Sequence, residues 1–478
     1  MAFATGFILV AIALVVYTLS HPFRFYDHFE WQALAFLEGH AAIRYPVGPS
    51  GTSLGNEFFQ DVLPVATSDG VPRGLVPFPP LPAIVLLPFV ALWGLAADGQ
   101  LVYAIIGAID VGIAWWMLGR LPIRPWVRVA ATVFLGFGTV FWYAAQIGTT
   151  WYQAHVLAVG LALAAIGVAL GGDRDAGQRE EDLLGPVREH GAEPTTAPPR
   201  QRRALALLVP DPRQLLAGLL FGLACTSRLT VVFAAPFFVL VGAGGTWQRR
   251  GWSAGLGAAL PLLALAAYNL ASTGHVFHPG YQHLYELEAS FYGPLNYNLD
   301  WLIEDPRYLP QNVGIMFLNT PVWLPTEVPS ILGTGRDLCT APGDVRGLFN
   351  PDCPLVLPRD TGMSILLTSP AYLLALPALA WGYGHSRLVT GAGIAVLIVA
   401  LVNLMHFSQG WVQFGYRFSN DFAPWALVLV AIGLERIASR AERGVLVARA
   451  GIAAAVGLIA VSVAVNLWGT VWGNVLGW

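Results

Sequence analysis

The sequence predicts an all-α polytopic membrane protein. Of its 478 residues, 55% are hydrophobic and only 12% are charged, and the mean hydropathy is +0.58. Soluble globular domains carry about 25% charged residues, so this composition excludes that class. The formal net charge is -3, and no basic run is interleaved with aromatic residues. The chain therefore gives no sign of nucleic-acid binding.

Apolar runs of about 20 residues, the length that spans the hydrocarbon core of a bilayer, recur along the chain. The first, residues 3–19, predicts a retained span, because no positive charge precedes it and no small-residue cleavage site follows it. Further runs cover residues 100–118, 127–147, 151–170, 251–270, 363–383, 388–406, 422–437 and 446–468. The run 214–245 is too long for one crossing and is interrupted by Arg228, so it predicts a hairpin of two short helices. Together these runs predict about 11 crossings in one integral membrane domain, residues 1–478.

Arginines assign the two sides of the membrane, because cytoplasmic connections carry an excess of basic residues. The predicted inner connections contain Arg120, Arg124, Arg128, Arg249, Arg250, Arg387, Arg436, Arg440 and Arg443. This assignment places two long loops on the outer face, residues 20–76 and 272–362. It also requires an odd number of crossings between residues 79 and 118. Residues 79–95, which internal prolines interrupt, therefore predict a re-entrant or interfacial segment.

The polar segments carry three further predictions. Residues 171–213 are rich in charges of both signs and contain prolines, which predicts a disordered cytoplasmic linker. In the outer loop 272–362, Cys339 and Cys353 would close a ring of about 15 residues. A disulfide there would stabilise the fold by roughly 3 kcal/mol and would place the loop in an oxidising compartment, whereas two free thiols are the alternative. Residues 308–323 of the same loop predict a helix on the membrane surface.

The stretch 20–40 follows the first apolar run and contains a cluster of titratable residues. Asp27, His28 and Glu30 lie at the start of a short amphipathic helix that Gly39 ends. An acid at the first position with another acid three residues later fits a helix-capping arrangement. A capping carboxylate still has a lone pair that can face a cavity. Structural and catalytic roles for Asp27 are thus both open.

Two arginines at predicted membrane boundaries are candidates for binding an anion. Arg228 lies at the outer turn of the short hairpin, where it predicts a polar cavity, a lipid phosphate or an acidic partner; snorkelling to lipid headgroups is the alternative. Arg417 follows Tyr416 at the outer entrance of a span. Its guanidinium group offers two parallel donors that suit a phosphate. The alternative is a local pair with Asp421 at i, i+4.

Other polar residues lie in or near the apolar runs. Asp110 falls in the middle of a run, which predicts a buried helix contact, a cavity or a partner. His155 lies about one turn from the outer end of its run, where it predicts either a structural hydrogen bond or a cavity wall shared with Gln146, Tyr152 and His28. The chain contains no HExxH, paired CxxC, Walker loop or GxGxxG after a strand. No site for nucleotide chemistry is predicted.

The order of these pieces resembles the GT-C superfamily of polyprenyl-phosphate-dependent membrane glycosyltransferases, which includes the protein O-mannosyltransferases (glycosyltransferase family 39) and the aminoarabinose transferases. A first span leads to an outer helix with an acid (YDHFEWQALAFLEGH) and then to a proline-rich apolar segment (PFPPLPAIVLLPF). Later come a short hairpin with an arginine (LACTSRLTVVFAAPFF) and a Tyr-Arg pair entering a span (QFGYRFSNDFAPWALVLVAIGL). The resemblance covers most of the chain. It implies a GT-C-like fold with outer-face juxtamembrane helices and two long outer loops.

The resemblance also implies an activity. A sugar would move, with inversion, from a polyprenyl-phosphate donor to a hydroxyl of a glycan, lipid or protein acceptor on the outer face of a bacterial or archaeal plasma membrane. In that superfamily the acid of the first outer loop is the general base or orients the acceptor, which implies Asp27 with Glu30 as a supporting partner. Arginines near the outer face bind the lipid phosphate, which implies Arg417, with Tyr416, and Arg228.

The sequence departs from the superfamily in two respects. Many members have Asp-Glu or Asp-x-Asp at the first acid, whereas this chain has Asp27 and His28. Metal-dependent members carry further acids in later outer loops, and these have no clear match here. A divalent metal is therefore left open, and no metal ligands are assigned. Two other classes stay open as well: a lipid or small-molecule transporter, which an intramembrane Asp110 would suit, and a non-catalytic membrane subunit.

Overall fold

The fold is described from a computed structural model. The structure describes residues 2–19, 27–44, 61–66, 70–175, 209–291, 300–328, 335–410, 412–442 and 446–478. Most of these residues are helical. The larger part of the predicted linker, residues 176–208, lies outside the described residues, as does the beginning of the stretch 20–40.

The helices follow one another closely along the chain. Helices α1 to α7 are Ala2–Leu19, His28–Leu37, Leu81–Trp93, Gly99–Leu118, Pro125–Phe137, Phe141–Ile147 and Thr150–Asp175. Helices α8 to α12 are Pro212–Cys225, Pro236–Leu240, Trp247–Thr273, Gly280–Phe291 and Leu309–Val313. Helices α13 to α17 are Ile365–Thr368, Leu376–Gly382, Arg387–Met405, Ala423–Glu442 and Leu446–Leu476. Short 3₁₀ turns lie between several of them, among them Leu229–Ala234 and Arg417–Asp421.

Short strands lie in the two loops that were predicted to be outside. They are β1 Ile43–Arg44, β2 Leu63–Val65, β3 Arg73–Leu75, β4 Val322–Trp323, β5 Glu327–Val328, β6 Arg336–Asp337 and β7 Val356–Leu357. β3 pairs antiparallel with both β1 and β2, β4 pairs with β7, and β5 pairs with β6. The all-α prediction did not include them, because strands of two or three residues leave no alternating pattern to detect.

Among the described residues, five helices are long and apolar enough to cross a membrane: Gly99–Leu118, Thr150–Gly171, Trp247–Thr273, Arg387–Met405 and Arg449–Leu476. They coincide with five of the predicted apolar runs. Helices α5 and α6 add a sixth span if this pair, bent by 50°, is counted as one. The predicted number of about 11 crossings is not confirmed. Large apolar side chains are exposed along α1 and α10, as lipid-facing helices require.

Other apolar runs form helices that are shorter or more deeply buried. Pro370 and Pro377 interrupt the run 363–383, which becomes α13, a 3₁₀ turn and α14, because proline cannot donate the helical hydrogen bond. Helix α3 has 13 residues and is thus about 20 Å long, which is shorter than the roughly 30 Å core of a bilayer. Helix α16 is buried continuously from Ala423 to Leu434.

The predicted surface helix at residues 308–323 is only partly present. Helix α12 continues as a single π-helical turn, Gly314–Leu318, and the chain is extended from Asn319. Trp323 belongs to strand β4 instead. The prediction was wrong for the second half of this segment, because Pro321 disfavours the helical conformation of the residue before it.

Helices α8 and α10 pack with close backbone contact. At Gly257 in α10, an added Cβ would overlap the carbonyl oxygen of Leu215 and lie 2.7 Å from the amide nitrogen of Leu219 in α8. At Gly255, two residues earlier on the same helix, an added Cβ would have no neighbouring atom within 4 Å. Small residues allow membrane helices to approach in this way. The two glycines therefore form a matched pair.

We expect Gly257→Ala to destabilise the protein by about 1–3 kcal/mol, because the extra methyl group forces the two helices apart. Gly255→Ala should leave stability unchanged or slightly higher, since alanine is the better helix former. Thermal unfolding of the detergent-solubilised variants measures both effects. Equal unfolding temperatures for the two variants would contradict the close packing of α8 on α10.

Candidate active site

A polar cavity of about 80 Å³ lies where several helices begin or end. Its walls come from the start of α7, the break after α8, helix α11, the residues after α15 and the 3₁₀ turn before α16. Three charged side chains line it: Asp61, Arg228 and Arg417. Tyr281 and His406 add further polar groups. The site is therefore built at chain breaks, where backbone and side-chain polar groups are free to point inward.

Arg228 is held by a buried carboxylate. Its Nε donates to Asp421 Oδ1 at 3.1 Å and its Nη2 donates to Asp421 Oδ2 at 2.9 Å. The hydroxyl of Thr230 and the amide of Asn403 also donate to Oδ2, at 2.7 and 3.2 Å. Burial alone would raise the pKa of Asp421, but the Arg228 charge and His155 hold it well below its usual range. Asp421 is thus ionised and keeps Arg228 at the cavity wall.

The alternative pairing of Arg417 with Asp421 was wrong. Residues Arg417–Asp421 form a 3₁₀ turn rather than an α-helix. With three residues per turn, positions four apart do not share a face. Asp421 points instead to Arg228, which comes from the hairpin about two hundred residues earlier.

Arg417 projects into the cavity beside aromatic rings. Its guanidinium carbon lies 5.7 Å from the ring centre of Tyr152 and 5.3 Å from that of Phe418. Gly410, with a φ of +79°, lies beneath the guanidinium group, and an added Cβ there would lie 2.5 Å from its carbon. The Nε of Arg417 is buried and has no hydrogen-bond partner in the described part of the chain. This arginine therefore carries an unused donor at the cavity.

Asp61 is the carboxylate on the cavity wall. It is 3% exposed, and its Oδ2 accepts a hydrogen bond from Trp151 Nε1 at 2.6 Å. Burial raises the pKa of Asp61 to about 6, although the Trp151 hydrogen bond and the Arg417 charge both lower it. Asp61 was not predicted from the sequence. Its one signal was an isolated acid just before an apolar strand, whose position in space the sequence did not show.

Ser227 was also missed. It precedes Arg228 at the break after α8, lines the cavity and is fully buried. Its hydroxyl has no hydrogen-bond partner among the described residues. A buried unpaired hydroxyl is unfavourable unless a ligand or water satisfies it. Ser227 and Arg417 thus leave two donors open in the same cavity.

The acids of α2 do not form the predicted capping arrangement. Asp27 occupies the N-cap position, but its side chain makes no capping hydrogen bond. Glu30 is 2% exposed and contacts Gln153 Nε2 at 3.5 Å. Burial raises the pKa of Asp27 to about 6. Burial and the neighbouring Asp27 raise the pKa of Glu30 to about 8. Neither acid is among the described residues that line the cavity.

None of the four predicted cavity-lining residues is among the described residues that line this cavity. His28 contacts Thr150 Oγ1 through both its backbone nitrogen, at 3.1 Å, and its ring Nδ1, at 3.0 Å, and burial lowers its pKa to about 3. Gln146 accepts from Trp142 Nε1 at 3.0 Å. Tyr152 lies under Arg417. His155 Nδ1 lies 2.9 Å from Asp421 Oδ1. Instead, Thr150, Trp151 and Ala154 of α7 face the cavity.

Three other predicted residues have structural surroundings. The Tyr416 hydroxyl is buried and donates to Gln409 Oε1 at 2.8 Å, so it does not reach the cavity. Asp110 is buried within α4. Cys339 and Cys353 are joined by a disulfide, with Cα atoms 4.5 Å apart. No group of three or more His, Cys, Asp or Glu side chains in the described ranges is arranged to hold a metal ion.

No protein-family model matches the chain, and no curated sequence matches it. A solved structure that it resembles is the oligosaccharyltransferase of Archaeoglobus fulgidus, tethered with an acceptor peptide via a disulfide bond. The TM-score is 0.49 and the sequence identity is 13%, over 99% of this chain and 55% of that chain. The protein thus spans about half the length of this neighbour.

We expect Asp421→Asn to destabilise the protein by about 3–5 kcal/mol, because it leaves the Arg228 charge without a partner in a mostly buried site. The double variant Asp421→Asn/Arg228→Met should recover part of this loss. The control is Asp352→Asn, which breaks an exposed pair with Arg336 and should cost about 0–1 kcal/mol. Unfolding temperatures measure all three. Equal losses from Asp421→Asn and Asp352→Asn would contradict the anchoring role.

Glu30 should make stability depend on pH. Its folded pKa of about 8 lies above the reference value of 4.5, so the folded state binds the proton more tightly than the unfolded state. Its contribution is fully present below pH 4.5 and is lost as pH rises towards 8, by at most about 1.4 kcal/mol per pH unit. Glu30→Gln should flatten the unfolding temperature over this range. Glu38→Gln, at the exposed end of α2, should not.

Proposed function

We propose that this protein is a membrane glycosyltransferase of the GT-C type, which transfers a sugar from a polyprenyl-phosphate donor to an acceptor hydroxyl. The observation that carries the proposal is the pairing of two arginines with a carboxylate in one cavity. Arg228 and Arg417 supply positive charge, and Asp61 supplies a group that can take a proton. Reactions that expel a phosphate while a hydroxyl attacks need both functions in one place.

The donors of the cavity suit a phosphate group. Guanidinium groups offer paired N–H donors to phosphate oxygens, and the unpaired Arg417 Nε and Ser227 hydroxyl would add further hydrogen bonds. Because Asp421 already compensates the charge of Arg228, Arg417 supplies the positive charge that a bound phosphate would experience most strongly. The donors are fixed before the reaction, so they would stabilise the growing negative charge of the leaving phosphate at little reorganisation cost.

The surroundings of the cavity suit a lipid-linked substrate. The long apolar helices α7 and α15 begin or end at it. A polyprenyl tail could lie along such helices while its phosphate reaches the arginines. We propose that the cavity opens to the outer face of a cell membrane, as the arginine distribution of the sequence predicts. The acceptor would be a glycan, lipid or protein hydroxyl.

Transfer of radiolabelled sugar tests the proposal. Membranes containing the protein are given polyprenyl phosphate mannose or glucose, and label separated from the lipid donor is counted. We expect Arg417→Ala to lower the rate about 10²–10³-fold, since one fixed donor to the leaving group is lost. Arg417→Lys should recover only part of this rate, because an ammonium group cannot make the paired contact.

Arg336→Ala is the matched control, because Arg336 is exposed and pairs with Asp352 away from the cavity. It should keep the wild-type rate. A folded wild-type protein that transports either lipid, or that stimulates another transferase without transferring sugar itself, would favour the transporter or the non-catalytic subunit and would contradict this proposal. The rate of Asp27→Asn is measured as well, because the resemblance of the sequence implies Asp27 as the general base.

A further inference from the structure

We propose that Asp61 is the residue that takes the proton of the acceptor hydroxyl, and that it does so as the counter-charge of Arg417. The inference rests on the proposed function and deepens it. Nothing in the sequence pattern assigns a role to Asp61. Its position supports the role, because Asp61 is a buried carboxylate on the wall of the cavity that both arginines line.

The Asp61 carboxylate is fixed from one side only. Trp151 Nε1 donates to Oδ2 at 2.6 Å, and Trp151 belongs to the first turn of α7, whose residues face the cavity. Among the described residues, Oδ1 accepts no hydrogen bond. An indole N–H can only donate, so it orients the carboxylate without competing for the proton. One oxygen is thus held in place and the other is available to a substrate.

Asp27 is less well placed for this step in the structure. Asp27 lies at the start of α2. The backbone nitrogen of the next residue, His28, donates to Thr150 Oγ1, and it is Thr150 that lines the cavity. Its carboxylate and that of Glu30 interact with each other, and Glu30 is enclosed beside Gln153. A general base must come within hydrogen-bond distance of the proton it removes. Asp61 is on the cavity wall, where an acceptor hydroxyl would approach it.

The proton transfer balances the charges of the leaving group. The acceptor oxygen forms a bond to the anomeric carbon, the bond between that carbon and the phosphate oxygen breaks, and its electron pair stays on the phosphate. The proton of the acceptor moves to Asp61. As Asp61 becomes neutral, Arg417 loses its internal counter-charge at the moment when the phosphate gains a second negative charge. Arg417 thus interacts with the ionised base before the reaction and with the leaving phosphate after it.

The acidity of Asp61 suits this role. With a pKa raised to about 6 by burial, the group is ionised at neutral pH and is a stronger base than an exposed aspartate. The groups that face it across the cavity are Arg228, Arg417, His406 and Tyr281. The two arginines stay charged over the working range of pH. A fall in rate below pH about 6 that Asp61→Asn abolishes would therefore report Asp61 itself.

The first experiment measures sugar transfer by the full-length protein in membranes. We expect Asp61→Asn to lower kcat about 10²–10⁴-fold with little change in KM for the donor, and Asp61→Glu to recover part of kcat. Asp27→Asn should lower kcat less than Asp61→Asn. Asp337→Asn, an exposed aspartate of β6, is the control and should match the wild type. A kcat of Asp61→Asn within about threefold of the wild type would overturn the inference while leaving the proposed function intact.

The second experiment does not depend on turnover. Binding of polyprenyl phosphate to the protein in nanodiscs is measured for the wild type, Asp61→Asn, Asp337→Asn and Arg417→Ala. Removing the negative charge of Asp61 should tighten binding severalfold at pH 7.5, and this advantage should disappear at pH 5, where wild-type Asp61 is protonated. The phosphate itself titrates near pH 6, so binding by Asp61→Asn is compared with that of the wild type and Asp337→Asn at each pH.

The outcomes separate the two ideas. Unchanged or weaker binding by Asp61→Asn, with binding that still requires Arg417, would overturn the role of Asp61 and keep the phosphate site. Binding that is insensitive to Arg417→Ala, together with no transfer by the wild type, would overturn the proposed function. Tighter binding by Asp61→Asn together with its loss of kcat is the result that the inference requires.

Discussion

The buried ion pair between Arg228 and Asp421 is the interaction on which the cavity depends. Two charges are removed from water there, and the cost is offset only because the contact is bidentate and further donors complete it. Asp421 lies directly before the buried helix α16, and Arg228 directly after α8. The pair therefore fixes two chain breaks against each other. Thr230 and Asn403 are attached to the same carboxylate.

The remaining polar groups share one principle of construction. Breaks between helices leave turns at which polar side chains can collect, and here Ser227, Arg228 and Arg417 all come from such turns. The aromatic rings of Tyr152 and Phe418 shield Arg417 while leaving its charge intact. The cavity is thus a small space lined by charged side chains inside a mostly apolar protein. In such surroundings electrostatic interactions are stronger than in water.

The sequence predicted the helical membrane class and the long helices well, because runs of about 20 apolar residues have few other structures available to them. It also identified Arg228 and Arg417, since arginines beside apolar runs stand out. It failed where position in space decides the role. Asp61 and Asp421 are ordinary acids in the sequence, and their partners Trp151 and Arg228 lie far away along the chain. Asp27 had the more conspicuous sequence context, but its carboxylate lies outside the cavity lining.

The disulfide between Cys339 and Cys353 closes a loop that is also attached to the last helix. The indole of Trp472, near the end of α17, donates to the carbonyl oxygen of Leu348 inside this ring, at 3.0 Å. The closed ring is thus fastened to a long helix and must move with it. The covalent ring and the Trp472 hydrogen bond therefore restrain the same segment at two separate points.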